Sequence, residues 1–480
     1  MSSKGFIGRT SEVKILEKYN DSSKSEFVAV YGRRRVGKTF LIREVLGQQF
    51  DFEFSGLYET SAKVQREEFQ NEINRRSKRK KDMPTNWFEA FNNLRDYLLS
   101  LKKKKVVVFL DELPWMDTPK SHFRTALASF WNGWGNRTPV LKLFVCGSAT
   151  TWMIDKLIGD RGGLYGRISR PIYLAPFSLL ETEQFLNSVK RMNFGKKQVL
   201  DTYMIFGGIP YYLDMMDKEL PFSANVDELL FSSNAPLKNE YDFLFRSLFK
   251  DSGNYRRVIE LLSKKLSGLT REQISEGCKL TGGELSKVLS NLSSCDFIRK
   301  YSSPGKKERG QIYQLTDMFS LFYLRFMKDK TELDEHYWTN MRESGAKTAW
   351  SGYAFEQVCL HHIPQIRQKL GISGILSNAY AWSAKAYTDA DGNKWDGGQI
   401  DLIIDRSDGV MNLCEMKYSQ DEFSIDKRYE ALIRTRMTMF RNLEKCRKDL
   451  RCTFVTVYGV KTNTHSGIVD DVVSMNDLFV

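Results

Sequence analysis

At 480 residues, 41% of them hydrophobic, the chain is longer than one ordinary core can organise, and about three domains are expected. No apolar run reaches the roughly 18 residues of a membrane-spanning helix, and the seven cysteines form no C-x-x-C pair, which excludes a zinc ribbon or a disulfide framework. A net charge of +13 favours polyanionic partners such as nucleotides or nucleic acid, and the start, MSSKGFIGR, has no apolar signal region, so a cytoplasmic protein without membrane contact is expected.

In chain order, Phe6-Ile7-Gly8-Arg9 is an apolar turn before a helical pattern, Glu12 to Tyr19. In front of a phosphate loop, Ile7, Gly8 and Arg9 can contact a base. Phe27 to Tyr31 is a short run of β-formers that suits a buried strand. Gly32-Arg33-Arg34-Arg35-Val36-Gly37-Lys38-Thr39 then fits the phosphate-loop pattern G-x-x-x-x-G-K-[ST], and Phe40 to Leu46 opens a helix. Strand, loop and helix are the context this motif requires. The two glycines let backbone N–H groups turn inward towards phosphate oxygens, and the helix N-terminus adds its positive dipole end. Lys38 would reach the β and γ phosphates of ATP, and the Thr39 hydroxyl would hold Mg2+.

A second strand is expected over Phe52 to Leu57, followed by helices over Ala62 to Arg76 and Trp87 to Leu101. The basic runs Arg75 to Lys81 and Lys102 to Lys105 read first as solvated loops or helix ends, with a nucleic-acid contact as the lesser alternative. Val106 to Leu110 followed by Asp111-Glu112 reads as a buried parallel strand with acids at its C-terminal edge, where open α/β sheets bind ligands. Asp111 can join Thr39 on Mg2+ and Glu112 can polarise the attacking water. Leu141 to Gly147 is a further strand, ending at Ser148, which can sense the γ-phosphate or simply close a turn. Arg161 and Arg167 lie in a glycine-rich loop; Arg167 is the favoured arginine finger, acting within the chain or across a homo-oligomer contact. Pro171 to Ser178 would be the last strand.

FIGR, GRRRVGKT, VVVFLDELPW, VCGS and LYGR together resemble P-loop ATPases of the AAA and STAND kind, specifically the archaeal-type ATPase family, over roughly residues 1–245. Gly207-Gly208-Ile209-Pro210 resembles that family's G-x-P motif; from the residues alone it is a helix break. The resemblance implies that Pro210 packs near the base, in a helical lid. Segments 1–180 and 181–250 are therefore expected to be the ATPase core and its lid.

Residues 251–318 change pattern. Helices over Tyr255 to Leu266, from Thr270 and from Thr281, then a hairpin from Phe297 to Leu315, predict a winged helix-turn-helix. Lys306, Lys307 and Arg309 would form a basic wing, with Ser286 and Lys287 on the third helix. DNA binding and plain packing both remain open, with packing slightly favoured. Segment 319–350 is rich in aromatics and reads as a buried connector.

In 351–480 an amphipathic helix over Ser351 to Leu370 carries Glu356. A strand over Ala379 to Tyr387 precedes a turn and strand holding Gln399, Asp401 and Asp405. The partner strand holds Glu415 and Lys417. A helix over Asp426 to Asn442 and a strand over Cys452 to Tyr458 follow. Alternation places Gln399 and Asp401 on one strand face, and Glu415 and Lys417 on one face of the next. Two carboxylates with the Met416 carbonyl suit Mg2+; Lys417 would steady hydroxide, Glu356 would orient water, and Gln399 would position Lys417 or the ion. Solvated charges on a hairpin are the plainer alternative. The order and residues resemble the PD-(D/E)xK nuclease superfamily, with Ile400 where that pattern has proline. The expected whole is an α/β multidomain ATPase with an Mg2+-dependent nuclease-like domain acting on DNA. The rivals are a nucleotide switch that binds without cutting and a winged-helix transcription regulator. His361 and His362 carry no metal expectation.

Overall fold

The computed structural model describes residues 7–47, 49–137, 139–249, 251–301, 311–330, 334–341, 344–388 and 392–480. Phe6 and the wing cations Lys306, Lys307 and Arg309 lie outside them. The chain divides into two compact units, one of residues 1–176 with 209–211 and 290–295, the other of residues 177–208, 212–289 and 296–480.

The first unit holds helices α1 (Thr10–Asp21), α2 (Lys38–Val45), α3 (Ala62–Ser77), α4 (Trp87–Ser100), α5 (Phe123–Phe130) and the short α6 (Thr150–Trp152) around strands β1 (Glu26–Tyr31), β2 (Phe52–Ser55), β3 (Lys105–Asp111), β4 (Val140–Gly147) and β5 (Arg170–Tyr173). The strands form one parallel sheet in the order β2-β3-β4-β1-β5. Phe27 to Val30 and Leu141 to Gly147 are buried, as continuous apolar strands covered on both faces must be. One side of the sheet is sealed by edge-to-face rings, with Phe69 set 4.9 Å from Phe52 and Trp87 4.9 Å from Phe123. The order brings the loop after β1 and the C-terminal ends of β3 and β4 to one edge. The basic run at the end of α3 is partly spent on the fold: Arg75 and Arg76 pair with Glu72, and Lys81 lies 3.0 Å from Asp96.

The second unit opens with α7 (Leu179–Gln184), α8 (Lys196–Phe206), α9 (Pro210–Asp214, its first residues belonging to the other unit), α10 (Phe222–Leu230) and α11 (Glu240–Leu248). Gly208 has φ +66°, and a Cβ there would stand 2.3 Å from the Phe177 carbonyl oxygen, so the Gly-Gly break admits no side chain. Next come α12 (Ser252–Ser263), β6 (Leu269–Thr270), α13 (Arg271–Cys278), α14 (Gly282–Ser294), β7 (Ile298–Tyr301) and β8 (Ile312–Leu315). The three strands form a small antiparallel sheet, β6-β8-β7. Thr270 begins α13 with a full capping box. The aromatic segment holds α15 (Met318–Phe326) and α16 (Tyr337–Asn340), and the buried Phe322, Phe326, Trp338 and Trp350 rings meet edge to face.

The single helix expected over 351–370 is two, α17 (Gly345–His361) and α18 (Ile363–Lys369), because Pro364 cannot continue a helix and starts a new one instead. Strands β9 (Ser377–Ala384), β10 (Tyr387–Thr388), β11 (Lys394–Trp395), β12 (Gly398–Arg406) and β13 (Val410–Lys417), helix α19 (Lys427–Leu443), and strands β14 (Asp449–Thr456) and β15 (Asp471–Ser474) complete the chain. The main sheet runs β15-β14-β13-β12-β9; β12 is antiparallel to β9 and β13, while β13, β14 and β15 are parallel.

His362, at the break between α17 and α18, ties the two ends of this unit. Its Nε2 accepts the Leu179 N–H at 3.0 Å, which requires the proton on Nδ1, facing the Val358 carbonyl at 2.8 Å. Burial lowers its pKa to about 4, against the opposing pull of the Val358 carbonyl. The unfolded imidazole titrates near 6.5, so the unfolded chain binds the extra proton below that pH. The stabilisation is therefore complete above about 6.5 and is lost as pH falls towards about 4. Denaturant midpoints of wild type and His362→Ala are expected to differ by a constant amount above neutrality and to converge over that acid window.

Candidate functional site

Two clusters of reactive side chains stand out, one in each unit. The first begins where β1 gives way to α2. Gly32 has φ +149°, and a Cβ on it would sit 2.3 Å from the Leu174 carbonyl oxygen, so only glycine fits. Gly37 caps α2 from the left-handed region and offers no side-chain acceptor, which leaves the first N–H groups of the helix facing the loop. Lys38 is only 6% exposed, and its ammonium donates to the carbonyls of Gly32 at 3.1 Å and Arg33 at 2.9 Å. Burial lowers its pKa, opposed by Cys146, Glu112 and Asp111.

Asp111, at the end of β3, gathers donors from three places. Thr39 Oγ1 lies 3.0 and 3.1 Å from its two oxygens, the Glu112 N–H donates at 2.9 Å, and the Cys146 thiol of β4 donates as well. Glu112 itself sits in the left-handed region at φ 45°. Its Oε2 takes the Ser148 hydroxyl at 2.9 Å and the Ser148 N–H at 3.2 Å. Ser148 is thus engaged with Glu112, while Ala149 holds the N-cap position of α6. Arg35 lies 4.1 Å over the Tyr211 ring, next to Pro210, so the Ile209–Tyr211 segment returns beside the loop. Val36 and Arg33 are buried, Arg34 is half-buried, and Phe40 is exposed. Gly8 and Arg9 both adopt positive φ just before α1, with Arg9 buried and Ile7 half-buried. Arg167 and Arg161 are exposed, and neither side chain has a partner among the described residues. The donor set suits a nucleotide with a hard cation: inward N–H groups, one buried ammonium, and a hydroxyl beside a carboxylate. Cys146 and Tyr211 were not singled out from the sequence; both adjoin motif residues, Gly147-Ser148 and Pro210.

The second cluster lies at the C-terminal end of β13. The β12 register against β9 shifts between Ile400 and Ile403, a bulge that contains Asp401. Asp401 Oδ2 accepts the Met416 N–H at 3.1 Å and stands 3.9 Å from Lys417 Nζ. Lys417 Nζ is 3.1 Å from Glu415 Oε2. The expected trio is therefore gathered about one point. Helix α19 adds two residues that the sequence reading missed. Tyr429 donates its hydroxyl to Glu415 Oε2 at 2.9 Å, and Arg436 donates to Oε1 at 2.9 Å. Their signal was the spacing Tyr429, Ile433, Arg436, one stripe of a helix face. Gln399 departs from expectation: it is exposed and makes no contact with Lys417, because the bulge breaks the alternation that was to bring it inward.

Burial raises the pKa of Glu356, with Asp401 adding and Lys417 opposing; burial and Glu415 likewise raise Asp401, against Lys417 and the Met416 N–H. Burial pulls Lys417 down, but Glu415 and Asp401 outweigh it and raise its pKa. Among the described residues no three His, Cys, Asp or Glu side chains gather closely enough to hold a metal ion. Asp401 and Glu415 alone would fit Mg2+ only with oxygens supplied from outside the chain, and at Glu415 the ion would meet Arg436 and Tyr429.

A sequence profile for an ATPase domain predominantly from Archaea matches residues 6–216. An uncharacterized protein of Methanocaldococcus jannaschii is 23% identical over 367 residues, 76% of this chain and 78% of its own length. An uncharacterized ATP-binding protein of the same organism is 44% identical over 41 residues, 8% of this chain and 70% of its own. Among solved structures, a Walker-type ATPase of Pyrococcus abyssi superposes with a TM-score of 0.48 at 20% identity, covering 67% of this chain and 96% of that one. The Aeropyrum pernix ORC2 protein, solved as ADPNP and ADP complexes, gives 0.41 at 13% identity over 71% of this chain and 98% of that one.

Glu415 is 5% exposed, so its charge depends on its partners. Arg436→Met is expected to cost on the order of 3 kcal/mol by leaving a buried carboxylate short of a cation. Adding Glu415→Gln should recover most of that loss, as read from urea unfolding midpoints at neutral pH.

Proposed function

We propose, from the premise that residues 6–216 are an ATPase domain of the archaeal type, that the chain binds and hydrolyses ATP and couples this cycle to an Mg2+-dependent phosphodiester-cleaving site of the PD-(D/E)xK kind acting on DNA. The observation that carries the ATPase half is the chain of contacts from Thr39 through Asp111 and Glu112 to Ser148, laid along the edge where the phosphate loop opens. In this reading the N–H groups from Gly32 to Thr39 cradle the phosphates. Lys38 leaves the Gly32 and Arg33 carbonyls for the β and γ phosphates. Thr39 and Asp111 hold Mg2+, which when bound neutralises charge developing on the phosphates. Glu112, fixed by Ser148, takes a proton from the attacking water. Arg167, exposed and free to reach, supplies positive charge within the chain or to a second copy. Ile7, Gly8, Arg9, Phe40 and Pro210 border the base. Segment 181–250 acts as the lid, 251–318 as a winged helix, 319–350 as the connector and 351–480 as the nuclease-like domain of a cytoplasmic protein. No described helix is long and apolar enough to cross a membrane.

The cutting half rests on Asp401, Glu415 and Lys417 converging within a hairpin whose Asp401 lies in a bulge. Glu356, from α17, faces Asp401 and orients water; Lys417 stabilises charge on phosphorus. Glu415 supports a second reading. With Lys417, Tyr429 and Arg436 already on it, the cluster is complete without a metal, as in a domain that binds nucleic acid or a protein without cutting.

Two measurements separate these outcomes. Glu112→Gln should slow phosphate release by about 10²-fold or more while nucleotide affinity holds, since only the base is lost. Supercoiled plasmid incubated with Mg2+ or Mn2+ and ATP should be nicked by wild type and left intact by both Asp401→Ala and Lys417→Ala. Absence of nicking with either metal, while nucleotide turnover persists, returns the non-cutting switch.

A further inference from the structure

Helix α19 has two faces of opposite use. Tyr429 and Arg436 face Glu415. The outward face carries Lys427, Arg434 and Arg441 at intervals of two helical turns, with Ala431, Thr435 and Thr438 between them. Lys445 and Arg447 extend the basic stretch past the helix end, and Arg428 flanks its start. All six cations are exposed, and apart from Arg434, which pairs with Glu430 at 2.7 Å, none has an ion pair among the described residues. The acids of the helix and its caps are occupied. Glu430 takes Arg434 and also His465 at 2.8 Å; Asp426 accepts the Tyr429 N–H; Glu444 accepts the Trp382 indole N–H. The basic runs of the first unit, by contrast, are partly spent on Glu72, Asp96 and Asp51.

Like charges held at two-turn intervals repel one another and contribute nothing to the fold. Small Ala and Thr side chains between them let a flat polyanion lie close. From Lys427 to Arg441 the stripe runs about 21 Å at 1.5 Å per residue, the rise of about six base pairs. The same helix reaches Glu415 from its other side, so whatever lies on the stripe is adjacent to the carboxylate cluster.

We propose that the outward face of α19 is a track for the phosphodiester backbone of nucleic acid, contacting phosphates without reading bases. The proposal rests on the nucleic-acid reading of the C-terminal domain and extends it by naming the gripping surface. It holds whether or not the domain cuts.

The test uses the full chain and a short fluorescein-labelled DNA duplex. Combining Lys427→Ala, Arg441→Ala and Lys445→Ala, none of which removes an ion pair, should weaken binding about tenfold or more at moderate salt and lower the log–log salt slope by about 2 to 3. The charge-matched control, Lys78→Ala with Arg79→Ala and Lys80→Ala at exposed positions after α3, should bind as wild type. Equal binding by both variants overturns the proposal. So does wild-type affinity for phosphatidylserine vesicles with none for DNA, which would make the stripe a membrane contact. Nicking read in the same samples separates this claim from catalysis: tight α19-dependent binding without nicking removes only the cutting half of the proposed function.

Discussion

Asp111 is the tie on which the first unit's reactive edge depends. One carboxylate receives the Thr39 hydroxyl from the start of α2, the Cys146 thiol from β4 and the N–H of its own neighbour Glu112. Three separate stretches of backbone are thereby brought to a common point, and each is supplied by a different strand end. The parallel sheet makes this feasible. Its order sets β4 between β1 and β3, so a side chain leaving β3 must reach across β4 to meet the phosphate loop. Glu112, strained into positive φ, is aimed back along the same edge and steadied by Ser148. A strained residue with a partner that fixes its carboxylate is a pattern found where geometry serves chemistry before stability.

The C-terminal cluster solves a different electrostatic problem. Three carboxylates lie near two cations in a region largely closed to water. Burial and mutual repulsion raise Glu356 and Asp401, so the cluster avoids carrying its full negative charge. Glu415 is compensated directly, by Lys417, Arg436 and a tyrosine hydroxyl. The resulting arrangement is self-consistent as a resting state. It also sets a threshold, because a divalent ion must outbid an arginine for the same oxygens.

Much of this was legible in the sequence, for identifiable reasons. The phosphate loop, the acid pair after five apolar residues and the E-x-K strand are local patterns whose backbone context is local too. The sheet strands showed themselves as apolar runs because both faces are covered. What escaped was non-local, one residue in size, or too short to show a pattern. A bulge at Asp401 cannot be seen by counting alternation, and it moved Gln399 out of the cluster. Pro364 divided a helix whose apolar spacing ran on unbroken. Arg436 and Tyr429 act from a helix that follows the motif, and only the fold brings them to Glu415. Strand β15 was missed because four residues at a sheet edge leave too short a pattern.

Lys38 has a last implication. Its ammonium is satisfied by two carbonyls of its own loop. Two carbonyl dipoles thus partner the buried ammonium, which would otherwise carry the full cost of a cation removed from water. A simple anion such as chloride offers too little to displace those bonds, whereas a chain of phosphates offers several oxygens at once. The way Lys38 is held therefore favours long polyphosphates over lone inorganic ions, before any base or sugar is recognised.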